Sequence, residues 1–157
     1  MKNLYIKQVE GKGRGVFSKE DIKAGDIVEI SPVFIISGIS NNYNIKEEHE
    51  YRINGLKRWT SDKTIMPLEV DNYSFDWSFL TQNGKKDVCI ALGYGSLYNS
   101  ANPANMRYEA DEKNLNILFI AVIDIPKDTE LTINYSGISG SHISDGNRWF
   151  ANKDFIE

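Results

Sequence analysis

The chain has 157 residues, enough for one compact domain with its own core, and 41% of them are apolar. With 22 acidic against 18 basic residues the formal net charge is −4, which disfavours general nucleic-acid binding and leaves room for an acidic groove receiving a basic peptide. A single cysteine, Cys89, excludes an intrachain disulfide and a cysteine-rich zinc cluster.

The N-terminal MKNLYIKQVEGK lacks the continuous apolar stretch of a signal peptide. The longest apolar run, Ile117–Ile123, is far too short to span a bilayer and reads as a buried strand. With one cysteine this suits a reducing compartment, and a cytoplasmic protein without membrane contact is expected. Leu4–Val9 alternates apolar and polar residues as a half-buried strand does. Residues 11–17, GKGRGVF, hold a glycine at every second position. A phosphate-binding loop would lead into a helix and carry a Lys-Ser/Thr pair after its last glycine. Here Val16, Phe17 and Ser18 look like a short strand and Lys19–Gly25 is turn-forming, so the phosphate loop is excluded.

Asp26–Ile30 and Val33–Ile36 are rich in β-branched residues and read as two strands with Pro32 as their boundary. Residues 38–87 read as a variable insertion between two β halves, 1–37 and 88–136, with 137–157 as a C-terminal flank. The 38–70 part is polar, and Ile45–Asn54 suits a short helix ended by Gly55. Tyr73–Phe79 is expected as a strand with Tyr73, Phe75, Trp77 and Phe79 on one face; a homodimer could bury that face, so self-pairing stays open. Val88–Leu92, Met106–Glu109, Asn116–Asp124 and Glu130–Asn134 complete the strands. Turns at Asn83-Gly84, Asn102-Pro103, Asp111–Asn114 and Pro126–Asp128 separate them. The fold class is a single mostly-β domain of many short strands. A faint echo links Ile22–Glu29 with Ile125–Thr132, each a polar turn feeding a strand; two ordinary hairpins explain it as well as a duplicated unit does.

The histidines offer little chemistry. His49 lies in EEHE without the two-histidine spacing of a zinc helix, and His142 sits among Gly, Ser and Asp in a loop. The chemistry points elsewhere. GKGRGVF is followed in order by ALGYGSLYNSANPANMRY, by NILFIAVIDIPKDTELTINYSG, and by RWF. Together these stretches resemble the SET-domain family of protein-lysine methyltransferases, closest to minimal bacterial and viral members without cysteine-rich flanks. The resemblance covers residues 4–36 and 88–150. It implies a β-clip of several small sheets with a threaded, pseudoknot-like C-terminal segment and a short helical insertion. It also implies methyl transfer from S-adenosylmethionine to a lysine amine of a protein or peptide substrate.

Carried onto matching positions, the resemblance makes Lys12, Gly13 and Arg14 the turn whose main chain holds the amino-acid end of S-adenosylmethionine. The family's Asn-His-Ser-x-x-Pro-Asn falls on Asn99-Ser100-Ala101-Asn102-Pro103-Ala104-Asn105, so Asn99 and Ser100 are cofactor candidates. Serine stands where the family has histidine, alanine where it has serine, and the proline comes one place early. This departure leaves an alternative open: a catalytically weak or inactive SET-fold module that binds peptide or cofactor. Tyr135 matches the family's tyrosine beside the transferred methyl and is the catalytic candidate, touching substrate and cofactor alike. Tyr108 falls where the family places a Phe or Tyr that limits methylation state, and a tyrosine there favours monomethylation. Tyr94 and Tyr98 are placed on the cofactor side, Trp149 against adenine and Phe150 at the substrate channel. Read without the family, the glycine turn is equally a plain hairpin and Tyr135 a rim residue ending a strand. Tyr94, Tyr98 and one of the Trp149/Phe150 pair could equally be core packing.

Overall fold

The alternating segment Leu4–Val9 forms β1, and the glycine-rich stretch turns it back as β2, Gly13–Ser18, so that Leu4 faces Ser18 and Val9 faces Gly13. The computed structural model describes residues 1–37, 68–85 and 87–145. The helix expected at Ile45–Asn54 lies outside the described residues.

Pro32 does not end a strand. β3 runs continuously from Ile27 to Ile36. Its first part, to Pro32, pairs with β8 (Asn116–Ala121), and its second, from Val33, pairs with β5 (Val88–Ala91). Proline has no ladder donor, and here it stands at the last β8 pair, opposite Asn116, where the strand passes from one neighbour to the other. The register also slips between Ile27 and Glu29. This bulge leaves the adjacent Val28 and Glu29 both buried, where a regular strand would expose one of them.

Tyr73–Phe79 is not one strand either. After the short helix α1 (Leu68–Asp71), β4 covers only Ser74–Asp76. The Asp76 carboxylate then accepts the Phe79 amide at 2.8 Å and caps α2, Trp77–Thr81. The turn of helix rotates the aromatics apart: Trp77 goes into the core, while Tyr73 and Phe79 stay 45% and 48% exposed. No single aromatic face results. Local capping has overridden a period-two pattern.

The remaining strands are β6 (Asn99–Ser100), β7 (Met106–Asp111) and β9 (Glu130–Ile133). They assemble into a four-stranded sheet, β1-β2-β9-β6, and a five-stranded sheet, β4-β5-β3-β8-β7. Val16, Leu131 and Ile133 from the first meet Val28, Met106, Ile117 and Phe119 from the second in one core. Each such side chain contributes roughly 1.5–3 kcal/mol when fully buried.

The two echoing segments pair with each other. Ile22 and Ile125 exchange both main-chain bonds, at 2.9 and 2.8 Å. The residue before each isoleucine reaches across: Asp21 Oδ1 accepts the Lys127 amide and Asp124 Oδ1 accepts the Ala24 amide, both at 2.9 Å. The resemblance in sequence is thus a reciprocal brace between the two β halves.

The cap on α2 is open to a direct check. Asp76→Ala should lower the unfolding free energy by about 1 kcal/mol, read from urea denaturation, and Asp76→Asn should retain most of it.

Candidate active site

Three segments remote in sequence meet at β6. From the N-terminal half, the Arg14 carbonyl accepts the Asn99 side-chain amide at 3.1 Å, and Lys12 Nζ lies 3.5 Å from the Ser100 carbonyl. From the C-terminal half, β9 pairs parallel with β6, Asn99 opposite Thr132 and Ser100 opposite Ile133. The same Asn99 amide donates to Glu130 Oε1 at 2.7 Å. Asn99 therefore fastens β2 to β9, and among the described residues its side-chain oxygen has no hydrogen-bond donor.

Tyr135 follows β9 by two residues and is half-buried. Its amide donates to Ser100 Oγ at 3.3 Å, and its hydroxyl donates to the Tyr98 carbonyl at 2.7 Å. The chain beyond it passes back across the Asn102–Asn105 turn. The Ala104 amide donates to the His142 carbonyl at 2.9 Å, Asn102 Nδ2 to the Ser144 carbonyl at 2.9 Å, and Asn134 Nδ2 to Ser144 Oγ at 3.0 Å. These bonds hold the C-terminal segment against the Asn102–Asn105 turn, the two stretches that the resemblance expects to cross.

Burial pushes the Tyr135 phenol up to about 12, with further pushes from Tyr73, Tyr108 and Glu130. Burial and then the Cys89 thiol likewise lift Tyr108 to about 12. Tyr108 itself is buried on β7, its ring edge-on to Phe75 at 5.3 Å. Tyr73 is a member of this phenol cluster that the sequence reading missed, having placed it on a strand face. No local pattern marks it: Tyr73 stands between α1 and β4, the edge strand of the second sheet.

The remaining candidates divide. Tyr98 has its side chain in the core, 4.8 Å from the Phe119 ring, with its hydroxyl on Glu29, so its carbonyl alone faces the site. Tyr94 is half-buried and donates its hydroxyl to the Leu4 carbonyl at 3.3 Å. Trp149 and Phe150 lie outside the described residues.

The residues around β6 fit the amino-acid end of S-adenosylmethionine. Gly13 adopts φ 76, with no heavy atom within 4 Å of where a Cβ would stand, so its main chain borders open space. Lys12 and Arg14 supply positive charge suited to a carboxylate, and the Asn99 carbonyl oxygen is an acceptor suited to an ammonium.

The family model for the SET domain matches residues 13–136. The chain belongs to the SET-domain family. It is 32% identical, over 94% of its length and 76% of the relative's, to the "Histone-lysine N-methyltransferase, H3 lysine-37 specific" of Schizosaccharomyces pombe. Among solved structures it is similar to a candidate histone methyltransferase of Plasmodium falciparum, at 25% identity and TM-score 0.56, covering 86% of this chain and 94% of that one. It shares its fold with part of ctPRC2, at 22% identity and TM-score 0.57, over 87% of this chain and 15% of that chain. Within this SET domain, Ser100, which the resemblance sets on the family's histidine, uses its hydroxyl to hold the Tyr135 main chain.

The shifted groups set an alkaline limit. Cys89, Tyr98, Tyr108 and Tyr135 all keep their protons longer in the folded chain, Cys89 to about 12 because of burial. Above about pH 9 to 10 the unfolded chain releases those protons while the native one retains them, so stability falls as pH rises. The melting temperature should be insensitive to these groups near neutrality and decline progressively above pH 9, as followed by circular dichroism.

Proposed function

We propose that this SET domain transfers a methyl group from S-adenosylmethionine to the side-chain amine of a lysine in a protein substrate, with Tyr135 as its catalytic residue. The observation that carries the reading is the Tyr135 hydroxyl bonded to the Tyr98 carbonyl at the junction of the glycine turn, β6 and the end of β9. When bound, S-adenosylmethionine supplies an electrophilic methyl on a cationic sulfonium. Displacement of this kind requires alignment and a suitable electrostatic surround.

A lysine ammonium, with a pKa of about 10.4 in water, must be neutral to attack. Tyr135 does not take that proton. Its phenol stays protonated to about 12, so near neutral pH it acts as a hydrogen-bond donor and orienting group. The buried surround of Tyr108 and Tyr135 instead disfavours a charged amine beside a cation. Lys12, Gly13, Arg14, Asn99 and Ser100 are the proposed holders of the donor's amino-acid end, and Trp149 and Phe150 its aromatic neighbours.

The Schizosaccharomyces pombe relative is named for a lysine of histone H3, so a basic histone-type tail is the substrate class to try first. The net charge of −4 suits such a partner. We place the protein in the cytoplasm on the strength of its single, buried cysteine. Pairing of two copies belongs to the same proposal and rests only on apolar side chains left exposed, among them Phe34 and Leu92; sedimentation velocity reads it directly.

The altered Asn99–Asn105 turn motivates a second reading, a module that binds the donor without turning it over. Calorimetry with S-adenosylmethionine beside a labelled-methyl assay on core histones separates the two, since the module would bind without labelling. For the enzyme, Tyr135→Phe should lower kcat by about 10²-fold with donor affinity nearly kept. Labelling at the parental rate in that variant would reject the mechanism. Mass spectrometry of the product should find one methyl per lysine, and Tyr108→Phe should admit a second or third.

A further inference from the structure

Glu29 belongs to none of the motifs that point to the function, yet its side chain is 3% exposed. A carboxylate is rarely buried without donors to satisfy it. Both its oxygens are engaged by one arch of chain, residues 92–98. Oε1 accepts the Tyr94 amide at 2.9 Å, and Oε2 accepts the Tyr98 hydroxyl at 2.6 Å. A phenol donating to a carboxyl oxygen makes a short bond of this kind.

The arch is shaped around that carboxylate. Gly93 adopts φ 70, and a Cβ there would stand 2.5 Å from Glu29 Oε1. At Gly95 a Cβ would stand 2.6 Å from both Ala91 Cβ and Ser31 Oγ. The two glycines of Leu92-Gly93-Tyr94-Gly95 therefore let the arch close over β3. The β3 bulge supplies the other half of the fit by turning Glu29 inward beside Val28. The arch ends through a short 3-10 turn, Gly95–Leu97, at Tyr98, whose carbonyl takes the Tyr135 hydroxyl.

We propose that Glu29 is a positioning residue for catalysis: by clamping the arch at Tyr94 and Tyr98 it fixes the carbonyl that orients Tyr135. The proposal rests on the reading of Tyr135 as the catalytic phenol. The arch joins the two residues through Tyr98. The Tyr98 side chain faces Glu29 while its main chain faces the site, so loosening the ring displaces the carbonyl.

Tyr98→Phe keeps the ring and deletes the bond. Kinetics on the full chain should show kcat lower by about tenfold with both KM values within about twofold. In a Tyr135→Phe background the same substitution should add less than about a twofold loss, because the clamp has nothing left to orient. An equal loss in both backgrounds, or none in the parent, overturns the proposal. Glu29→Gln, which preserves shape and the acceptor for Tyr94, should recover most of the kcat lost in Glu29→Ala. A second readout does not depend on activity. In protein carrying ¹³Cζ-tyrosine, the Tyr135 resonance, assigned by its loss in Tyr135→Phe, should shift in Tyr98→Phe and in Glu29→Ala. An unshifted resonance in folded variants overturns the clamp. A parent that transfers no methyl overturns the enzymatic reading instead, and the resonance still decides the clamp.

Discussion

Asn105 bonds to β9 as a neighbouring strand would. Its Nδ2 donates to the Glu130 carbonyl at 2.8 Å, and its Oδ1 accepts the Thr132 amide at 2.8 Å. The Thr132 hydroxyl answers by accepting the Asn105 amide at 3.2 Å. The Ala101 amide donates to the Ile133 carbonyl at 3.0 Å, so the two-residue β6 takes one edge of β9 while the Asn105 side chain, bonded at residues 130 and 132, serves the other. An orphaned buried amide costs about 1–3 kcal/mol, which is what this mimicry avoids. β9 is thus held on both sides, by β6 and by Asn105, and the direction in which the chain leaves toward Tyr135 follows from that.

The site built on this constraint positions groups more than it shuttles protons. Tyr135, Tyr108 and Tyr98 are all held protonated, chiefly by burial. A phenol in that state donates one hydrogen bond in a fixed direction, and the Tyr98 carbonyl selects the direction for Tyr135. Each partner is in turn held by another part of the chain: Ser100 on the Tyr135 amide, Asn99 on β2, the crossing segment on the Asn102–Asn105 turn. A reaction limited by alignment calls for such over-determined geometry.

Much of the local structure follows from short-range rules. The Leu4–Val9 alternation, the glycine turn after it and the polar turns at Asp111–Asn114 and Pro126–Asp128 each specify a hairpin or corner within a few residues. Where the local reading failed, a competing local rule or a distant partner had intervened. Asp76 is both a period-two strand position and a helix cap, and the cap prevailed because it satisfies an otherwise unpaired amide. Pro32 signals a missing donor, but whether that donor is needed depends on which strand lies beside it.

Motif order in the chain was enough to specify the family and the β-rich class, because those depend on residue type and spacing. The tertiary structure alone decided what each tyrosine does. Tyr98 and Tyr94 stand four residues apart in one motif, and nothing local shows that one buries its ring on Glu29 while the other reaches Leu4. Tyr73 acts electrostatically on the Tyr135 phenol from a segment that had been read as a strand face. A side chain's partner is set by contacts between elements far apart in sequence, and periodicity along one element carries no information about them.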